Sequence, residues 1–420
     1  MDRGPAVLTT RTGGQRAERG PPAPRPRGTF RPRRPHSGRE LELTVTTRSA
    51  RALLPRLLAA SLYYSGLVPA VRWWRRRVGP RLVILVYHRS SDEPLRRQLR
   101  YLRRHYRVLP LEQALQDLYR GPRREATTRD TRTPLAITFD DGYLDSYLSA
   151  AAQARDLRVP ITIFLVPGYI DGRENFWWYE TARLAREARS DEATIAGRTY
   201  LLSGPGQRRE LARALYDVAR GCRSVAEREV FLARARETLH VAQDAGGDDP
   251  GGRPVTWAQV GEMQESGWTS FGAHTLHHPV LKCLADSAEL EREVRDSRCV
   301  LERRLGEPVR CFAYPLGRAE HIGADGVRAV QEAGYDWAVT TLRGINSPRT
   351  NPHLLRRIGV GGEQDWLVLA AELAGVWPMA GLRWLRLAAR RVVPRSLKEK
   401  AQASAGARRP LSIEPVSRGR

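Results

Sequence analysis

Two adjacent carboxylates stand where a predicted strand ends. The apolar segment Pro134–Phe139 predicts a buried strand, and Asp140, Asp141 and Gly142 follow it directly. Like charges side by side raise each other's pKa and oppose burial, so a bound cation would relieve the cost of the pair. Taken alone, an Asp-Asp-Gly sequence is more typical of an exposed turn.

Two histidines four residues apart, His274 and His278, follow another predicted strand. They would converge on one ion if the backbone curls helically, whereas His277 would then point elsewhere. Two neutral imidazoles and one carboxylate make a three-ligand site with positions left for water and substrate, which is typical of a catalytic metal. Zinc is the leading expectation, and the same donors bind Co, Ni, Mn or Fe. The alternative is a His-rich turn without a metal.

A third segment, residues 310–317 (RCFAYPLG), also runs from a predicted strand into a Pro/Gly loop, and by itself predicts only a turn. Three segments, in their order along the chain, resemble the motifs of the polysaccharide deacetylase family (carbohydrate esterase family 4, NodB-homology domain). They are Thr138–Gly142, His274–Pro279 and Phe312–Gly317. The third motif matches the Phe-Ala-Tyr-Pro-x-Gly variant. The resemblance covers roughly residues 80–375. It implies a distorted (β/α) barrel that hydrolyses the N-acetyl group of an acetylated amino sugar.

The resemblance also implies a role for each motif residue. It makes Asp140 the general base, Asp141, His274 and His278 the metal ligands, the backbone N–H of Leu316 an oxyanion donor, and Tyr314 a neighbouring substrate-loop residue. The cation would polarise the acetamide carbonyl and its water, and Asp140 would take the proton of that water.

The sequence departs from the family pattern at the arginine that orients the base. Many members carry that arginine in the third motif, where this chain has Ala313. Arg357 is the candidate substitute, and Arg356 and Arg310 are its rivals.

The second departure concerns the general acid. Many members end with a Leu-x-His strand, and none follows Gly317 here. The first predicted strand, however, ends in Leu85-Val-Tyr-His88, which resembles the circularly permuted branch of the family that includes poly-N-acetylglucosamine deacetylases. His88 is therefore the predicted acid, with His353 and His321 as alternatives.

Strand and helix signals alternate between residues 80 and 376, which predicts an α/β fold with a mainly parallel barrel as the catalytic domain. The predicted strands are Leu82–Tyr87, Pro134–Phe139, Pro160–Val166, Val309–Ala313 and Asp336–Thr341. One predicted helix begins at the capping sequence of Thr256 and stops at Gly267. Another begins at Asp286 and ends at Gly306, with Leu290, Val294, Leu301 and Leu305 on one face. A long helix-prone insertion, residues 171–250, interrupts this alternation of strands and helices.

The excess positive charge lies at the two ends of the chain. The 420 residues are 41% hydrophobic and 28% charged, which excludes a fully disordered chain. The formal net charge is +24. Residues 1–48 are net +7, 49–107 net +12 and 378–420 net +9, so residues 108–377 are net −4. A slightly acidic body argues against specific nucleic-acid binding. Four cysteines far apart indicate neither a disulfide framework nor a thiolate zinc site.

The basic ends predict contact with an anionic surface, either lipid headgroups or nucleic acid. Residues 1–48, rich in Arg, Pro and Gly, are predicted to be a disordered tail without a cleavable signal peptide. Residues 49–79 form an apolar, basic amphipathic segment, and 377–420 a basic helix and tail of similar composition. The protein is therefore expected to be cytoplasmic or associated with the inner membrane through these flanks.

The sequence therefore predicts a metal-dependent hydrolase that removes N-acetyl groups from a polysaccharide or a lipid-linked glycan. The alternative is a catalytically impaired barrel that binds glycans or associates with nucleic acid. Intact Asp140, Asp141, His274 and His278 favour the enzyme.

Overall fold

The computed structural model describes residues 53–75, 77, 81–89, 91–121, 130–172, 175–195, 197–242 and 252–377. The tail predicted over residues 1–48 lies outside these ranges. So does the C-terminal segment predicted over 377–420, apart from its first residue.

Ten strands are present in the described residues. In chain order they are β1 (Val83–Tyr87), β2 (Arg107–Val108), β3 (Pro134–Phe139), β4 (Ile161–Leu165), β5 (Glu192–Ile195), β6 (Arg198–Leu201), β7 (Thr269–Ala273), β8 (Cys311–Ala313), β9 (Trp337–Arg343) and β10 (Leu355–Gly359). All five predicted strands are confirmed, with ends that move by up to two residues.

Seven of these strands close into a parallel barrel. Their order is β1-β10-β9-β8-β7-β4-β3, and β3 pairs back onto β1 through the register Val83–Leu135 to Tyr87–Phe139. β2 extends the sheet outside the ring by pairing with β3. Every residue of β1, β4 and β8 is buried, as expected for parallel strands that face side chains in the lumen and helices outside. The predicted (β/α) barrel is therefore confirmed.

Twelve α-helices accompany the strands in the described part of the chain. They are α1 (53–64), α2 (Leu67–Arg75), α3 (Asp92–His105), α4 (Leu111–Arg120), α5 (Ala152–Leu157), α6 (Trp177–Glu187), α7 (Pro205–Gly221), α8 (Val225–Thr238), α9 (Trp257–Glu265), α10 (Ser287–Leu305), α11 (Ala319–Glu332) and α12 (Trp366–Ala374).

The residues predicted to begin and end two of the helices make the expected capping contacts. Thr256 and Gln259 form a reciprocal capping box at the start of α9, and the Asp286 carboxylate accepts the N–H of Ala288 at the start of α10. Gly306 ends α10 in a left-handed conformation. The predicted apolar face of α10 is buried, which holds this helix against the barrel.

The insertion between β4 and β7 contains α6, α7, α8 and an antiparallel hairpin of β5 and β6. The hairpin was not predicted, because its two strands have four residues each and only alternate positions of β5 are buried. The insertion has an apolar cluster of its own that includes Phe176, Trp177 and Leu211. It follows directly from a barrel strand and so lies near the carboxyl ends of the strands.

No helix among the described residues combines the length and the apolar character needed to cross a bilayer. This finding covers α1 and α2, which contain the described part of the predicted amphipathic segment.

Candidate active site

The turn after β3 places two carboxylates at the mouth of the barrel. The N–H of Asp140 donates to the carbonyl of Tyr87 (2.9 Å), so Asp140 continues the pairing of β3 with β1. Asp141 and Gly142 then take left-handed backbone conformations, each with φ of 72°. A Cβ on Gly142 would lie 2.6 Å from a methyl carbon of Leu165. This sharp turn allows the adjacent side chains of Asp140 and Asp141 to contact different partners.

Asp141 meets the two histidines that follow β7. Its Oδ1 lies 3.4 Å from Nε2 of His274 and 3.6 Å from Nε2 of His278. The three residues are buried, and their potential ligand atoms all lie within 4.8 Å of one another. The structure therefore brings together the three predicted metal ligands.

The chain between the histidines turns differently from the helical curl expected from the sequence. Thr275 and His278 both take positive φ, 62° and 56°. The Thr275 hydroxyl accepts the N–H of His278 (2.9 Å), which stabilises this turn. His277 points away from the cluster, as predicted, because its Nδ1 bonds to Glu293 (2.7 Å).

The donor set fits a divalent metal. The Nδ1–H of His274 donates to the carbonyl of Ala313 (2.7 Å), which leaves the Nε2 lone pair free on the side of Asp141. The Nδ1 of His278 is buried without a hydrogen-bond partner among the described residues. Burial and the neighbouring His274 lower the pKa of His278 to about 3, so this imidazole is neutral, as a ligand must be. Burial raises the pKa of Asp141, but the neighbouring His274 and His278 outweigh this effect and lower the pKa overall.

Asp140 pairs with a buried arginine rather than with the histidine cluster. Nη1 and Nη2 of Arg357 donate to its two carboxylate oxygens at 2.7 and 2.6 Å. Burial alone would raise the pKa of Asp140, yet the Arg357 charge outweighs this effect and lowers the pKa to about 2. Arg357 is fully buried and also donates to the Thr340 carbonyl and the Thr138 hydroxyl.

The geometry separates Arg357 from its two rivals. Arg356, the preceding residue of β10, is exposed on the opposite side of the strand. Arg310 precedes β8 and pairs with Glu112 and Asp336, at the amino ends of the strands. Among the three candidates, Arg357 alone contacts Asp140 in the described structure.

The part of the chain that contains the two clustered histidines is similar to known proteins. Residues 231–338, which contain His274 and His278, match the family model described as polysaccharide deacetylase. This part of the chain is therefore similar to polysaccharide deacetylases, as the resemblance of the motifs predicts.

Three solved structures are similar to this chain. The deacetylase PplD of Streptococcus pyogenes is 18% identical over 69% of this chain and 97% of that chain, with a TM-score of 0.45. IcaB from Ammonifex degensii is 19% identical over 72% and 98%, with a TM-score of 0.44. The BpsB deacetylase domain from Bordetella bronchiseptica is 14% identical over 67% and 96%, with a TM-score of 0.42. A search of curated protein sequences finds no match.

The predicted acid, His88, lies at the same mouth of the barrel. It follows β1, and its Nε2 is 4.0 Å from Oδ2 of Asp140. Its side chain is 54% exposed, so it borders both the buried carboxylate and the solvent from which a substrate would enter. This is where a histidine could reach a leaving nitrogen.

The two alternative histidines, His353 and His321, lie elsewhere in the structure. Nε2 of His353 bonds to the carbonyl of Tyr335, before β9 and thus at the amino ends of the strands. His321 belongs to α11, where burial and then the nearby Arg220 charge lower its pKa despite Glu320. No ion pair joins either histidine to Asp140 in the described residues.

The two predicted site residues of the third motif, Leu316 and Tyr314, lie in different surroundings. Leu316 has φ of 58°, and no acceptor for its N–H is found among the described residues. Its carbonyl accepts the Thr341 hydroxyl (2.7 Å). Tyr314, predicted beside the substrate, is instead fully buried and donates its hydroxyl to the carbonyl of His353 (3.1 Å). Its side chain therefore stabilises the loop from within.

Two tryptophans of the insertion contact the second histidine, and the sequence reasoning missed both. The indole N–H of Trp177 donates to the His278 carbonyl (3.0 Å), and the ring centroid of Trp178 lies 4.3 Å from that of His278. Trp178 also donates to the Tyr143 hydroxyl (2.5 Å). The only signal available was the Trp-Trp pair itself, since nothing in the spacing connects positions about a hundred residues apart.

The Trp177 contact predicts weaker metal binding when its donor is removed. Trp177→Phe keeps most of the apolar contact but leaves the His278 carbonyl unpaired, so we expect roughly tenfold weaker metal affinity. Titration of metal-free protein with zinc would measure it. Trp257→Phe, at a distant helix start, is the matched control and should bind zinc like the parent. Equal affinities for all three proteins would show that Trp177 does not fix His278.

The Arg357 pairing predicts a large loss of stability. Arg357→Gln leaves Asp140 buried without its cation, which should lower the free energy of unfolding by about 3–5 kcal/mol, as measured by urea denaturation. Arg356→Gln, its exposed neighbour, should change it by less than about 0.5 kcal/mol. Similar losses in both variants would contradict the pairing.

The same pair predicts a dependence of stability on pH. The pKa of Asp140 is lowered from 3.8 to about 2, so its stabilising contribution is full above 3.8 and disappears as the pH falls toward 2. Arg357→Gln should lack this component of the acid transition.

Proposed function

We propose that the protein is a metal-dependent deacetylase that removes N-acetyl groups from an acetylated amino sugar in a polysaccharide or a lipid-linked glycan. The observation that carries the proposal is the buried Asp141–His274–His278 cluster directly beside the Arg357-bound Asp140. One group of side chains can thus hold a cation while the adjacent carboxylate stays available for proton transfer.

Asp141, His274 and His278 are the proposed ligands, and zinc is the leading choice among divalent metals that accept two imidazoles and one carboxylate. When bound, such a cation supplies Lewis acidity that polarises a carbonyl and lowers the pKa of bound water.

Asp140 is the proposed general base. Its pKa of about 2 keeps it ionised at neutral pH, and Arg357 holds both carboxylate oxygens in place. It accepts a proton from the water that adds to the acetyl carbonyl carbon. The N–H of Leu316, which has no acceptor among the described residues, is the proposed donor to the oxygen on which negative charge develops.

His88 is the proposed acid that completes the reaction. It gives a proton to the amide nitrogen as the carbon–nitrogen bond breaks, so that acetate and a free amine leave. Its position 4.0 Å from Asp140 allows both groups to act on one substrate bound at the mouth.

The test is acetate release from a panel of N-acetylated oligosaccharides and lipid-linked N-acetylated amino sugars. Acetate should form with at least one member, stop after chelation and return on addition of zinc. Release that persists in the protein stripped of metal would contradict the metal role. Binding without release from any member would instead indicate a glycan-binding barrel.

A further inference from the structure

The first two helices expose most of the large apolar side chains on the described surface. Eight of the eleven exposed large apolar residues lie here and define the α1–α2 face: Leu53, Leu54, Leu57, Leu58, Tyr64, Leu67, Trp73 and Trp74. The other three, Leu148, Leu201 and Val230, lie singly in other elements. Scattered apolar residues are ordinary on a protein surface, whereas a continuous group marks an interaction site.

The opposite side of the same helices is already packed on the barrel helices. Ala59 and Val68 are fully buried, and Tyr63 lies edge-on to Trp366 with ring centroids 5.2 Å apart. Arg56 pairs with Asp365 at 3.0 Å, and Arg72 donates to the Tyr101 hydroxyl at 3.2 Å. The helices are therefore held against α3 and α12, and the α1–α2 face is not a core surface of this domain.

Charge decides which partner fits this face. Residues 53–77 contain five arginines and no acidic residue, and Arg77 stacks over the Trp73 ring at 3.5 Å. Indoles and guanidiniums beside exposed leucines suit the headgroup layer of a membrane, where rings meet acyl chains and cations meet phosphates.

Other occupants fit this face less well. A second copy would bring two strongly positive faces together. The chain's own C-terminal segment, residues 378–420, carries 11 basic and 2 acidic residues and would be repelled in the same way. Nucleic acid would match the charge but offers no apolar phase for the leucines.

We propose that the α1–α2 face binds an anionic membrane surface, with its apolar side chains in the headgroup layer and the helices lying along the bilayer rather than across it. This inference is independent of the catalytic reaction. It places the protein at a lipid surface through a structured part of the chain.

Co-sedimentation of the full chain with phosphatidylcholine vesicles, with and without phosphatidylglycerol, tests the proposal. The parent should bind the anionic vesicles and release as salt rises. Trp73→Ser combined with Trp74→Ser leaves the net charge unchanged but removes two indoles that are 57% and 59% exposed. We expect the double variant to partition roughly tenfold or more weakly.

The matched control is Leu148→Ser with Leu201→Ser, which removes two equally exposed apolar side chains, 61% and 60%, from other elements. It should bind vesicles like the parent. Unchanged thermal unfolding would show that the tryptophan variant is folded. Parent-like binding by that variant would overturn the proposal, because the basic ends alone would then suffice. The proposal would also be overturned if the parent did not bind vesicles but formed dimers that the tryptophan variant does not form. The α1–α2 face would then be a contact between two copies of the chain.

Discussion

Replacing His274 by alanine should remove the bound metal and nearly all activity while the chain stays folded. The variant keeps only Asp141 and His278 of a three-ligand set whose donors converge within 4.8 Å. Two protein ligands hold a divalent ion far less well than three, since each ligand adds directly to the binding energy. Elemental analysis of the purified variant and acetate release from the preferred substrate are the measurements.

The same experiment separates the roles of the adjacent aspartates. Asp140→Asn conserves shape and a hydrogen bond to Arg357 but cannot accept a proton, so turnover should fall by roughly 10²–10⁴-fold with the metal retained. His277→Ala is the matched control for the histidine change. It lies between the two ligands yet bonds to Glu293, and should keep both metal and activity. If Asp140→Asn and His274→Ala lose metal equally, the division of roles between Asp140 and Asp141 is wrong.

Local chemistry explains which features were predictable from the sequence. The strands are short, continuously apolar and bounded by turn residues, so β1, β3 and β4 could be predicted from composition alone. The capping box of α9 is a local pattern of four residues. The cluster at the barrel mouth followed from these strands, because parallel strands in a barrel open their carboxyl ends onto one face.

The remaining features depend on contacts that no local pattern encodes. Arg357 and Asp140 are 217 residues apart, and their pairing requires that β1 close the barrel between β10 and β3. From the sequence, Arg356 and Arg310 therefore remained rivals of the predicted Arg357. The Trp177 contact with His278 depends likewise on how the insertion folds back onto the barrel. The turn at Thr275 differs from the expected curl because its hydroxyl accepts a backbone N–H and stabilises a left-handed conformation.

His88→Ala should lower turnover by roughly 10²–10⁴-fold without changing the metal content. Amide cleavage needs a proton on the departing nitrogen, because an amide anion is too poor a leaving group. His88 is positioned for this transfer, with Nε2 4.0 Å from Asp140 and about half of the side chain open to solvent. Since an acid works only while protonated, the variant should also lose the alkaline limb of the pH–rate profile.

A change of leaving group distinguishes a missing acid from a damaged site. The phenolate of an activated aryl acetate ester departs without protonation, so His88→Ala should cleave such an ester at close to the parental rate while losing the amide reaction. Asp140→Asn should be slow on both substrates, because both need an activated water. His353→Ala is the matched histidine control, since its ring bonds to Tyr335 at the opposite end of the strands, and it should leave both reactions unchanged. Parallel losses on amide and ester would mean that His88 positions Asp140 rather than protonating nitrogen, and near-normal amide turnover would move the acid role to His321.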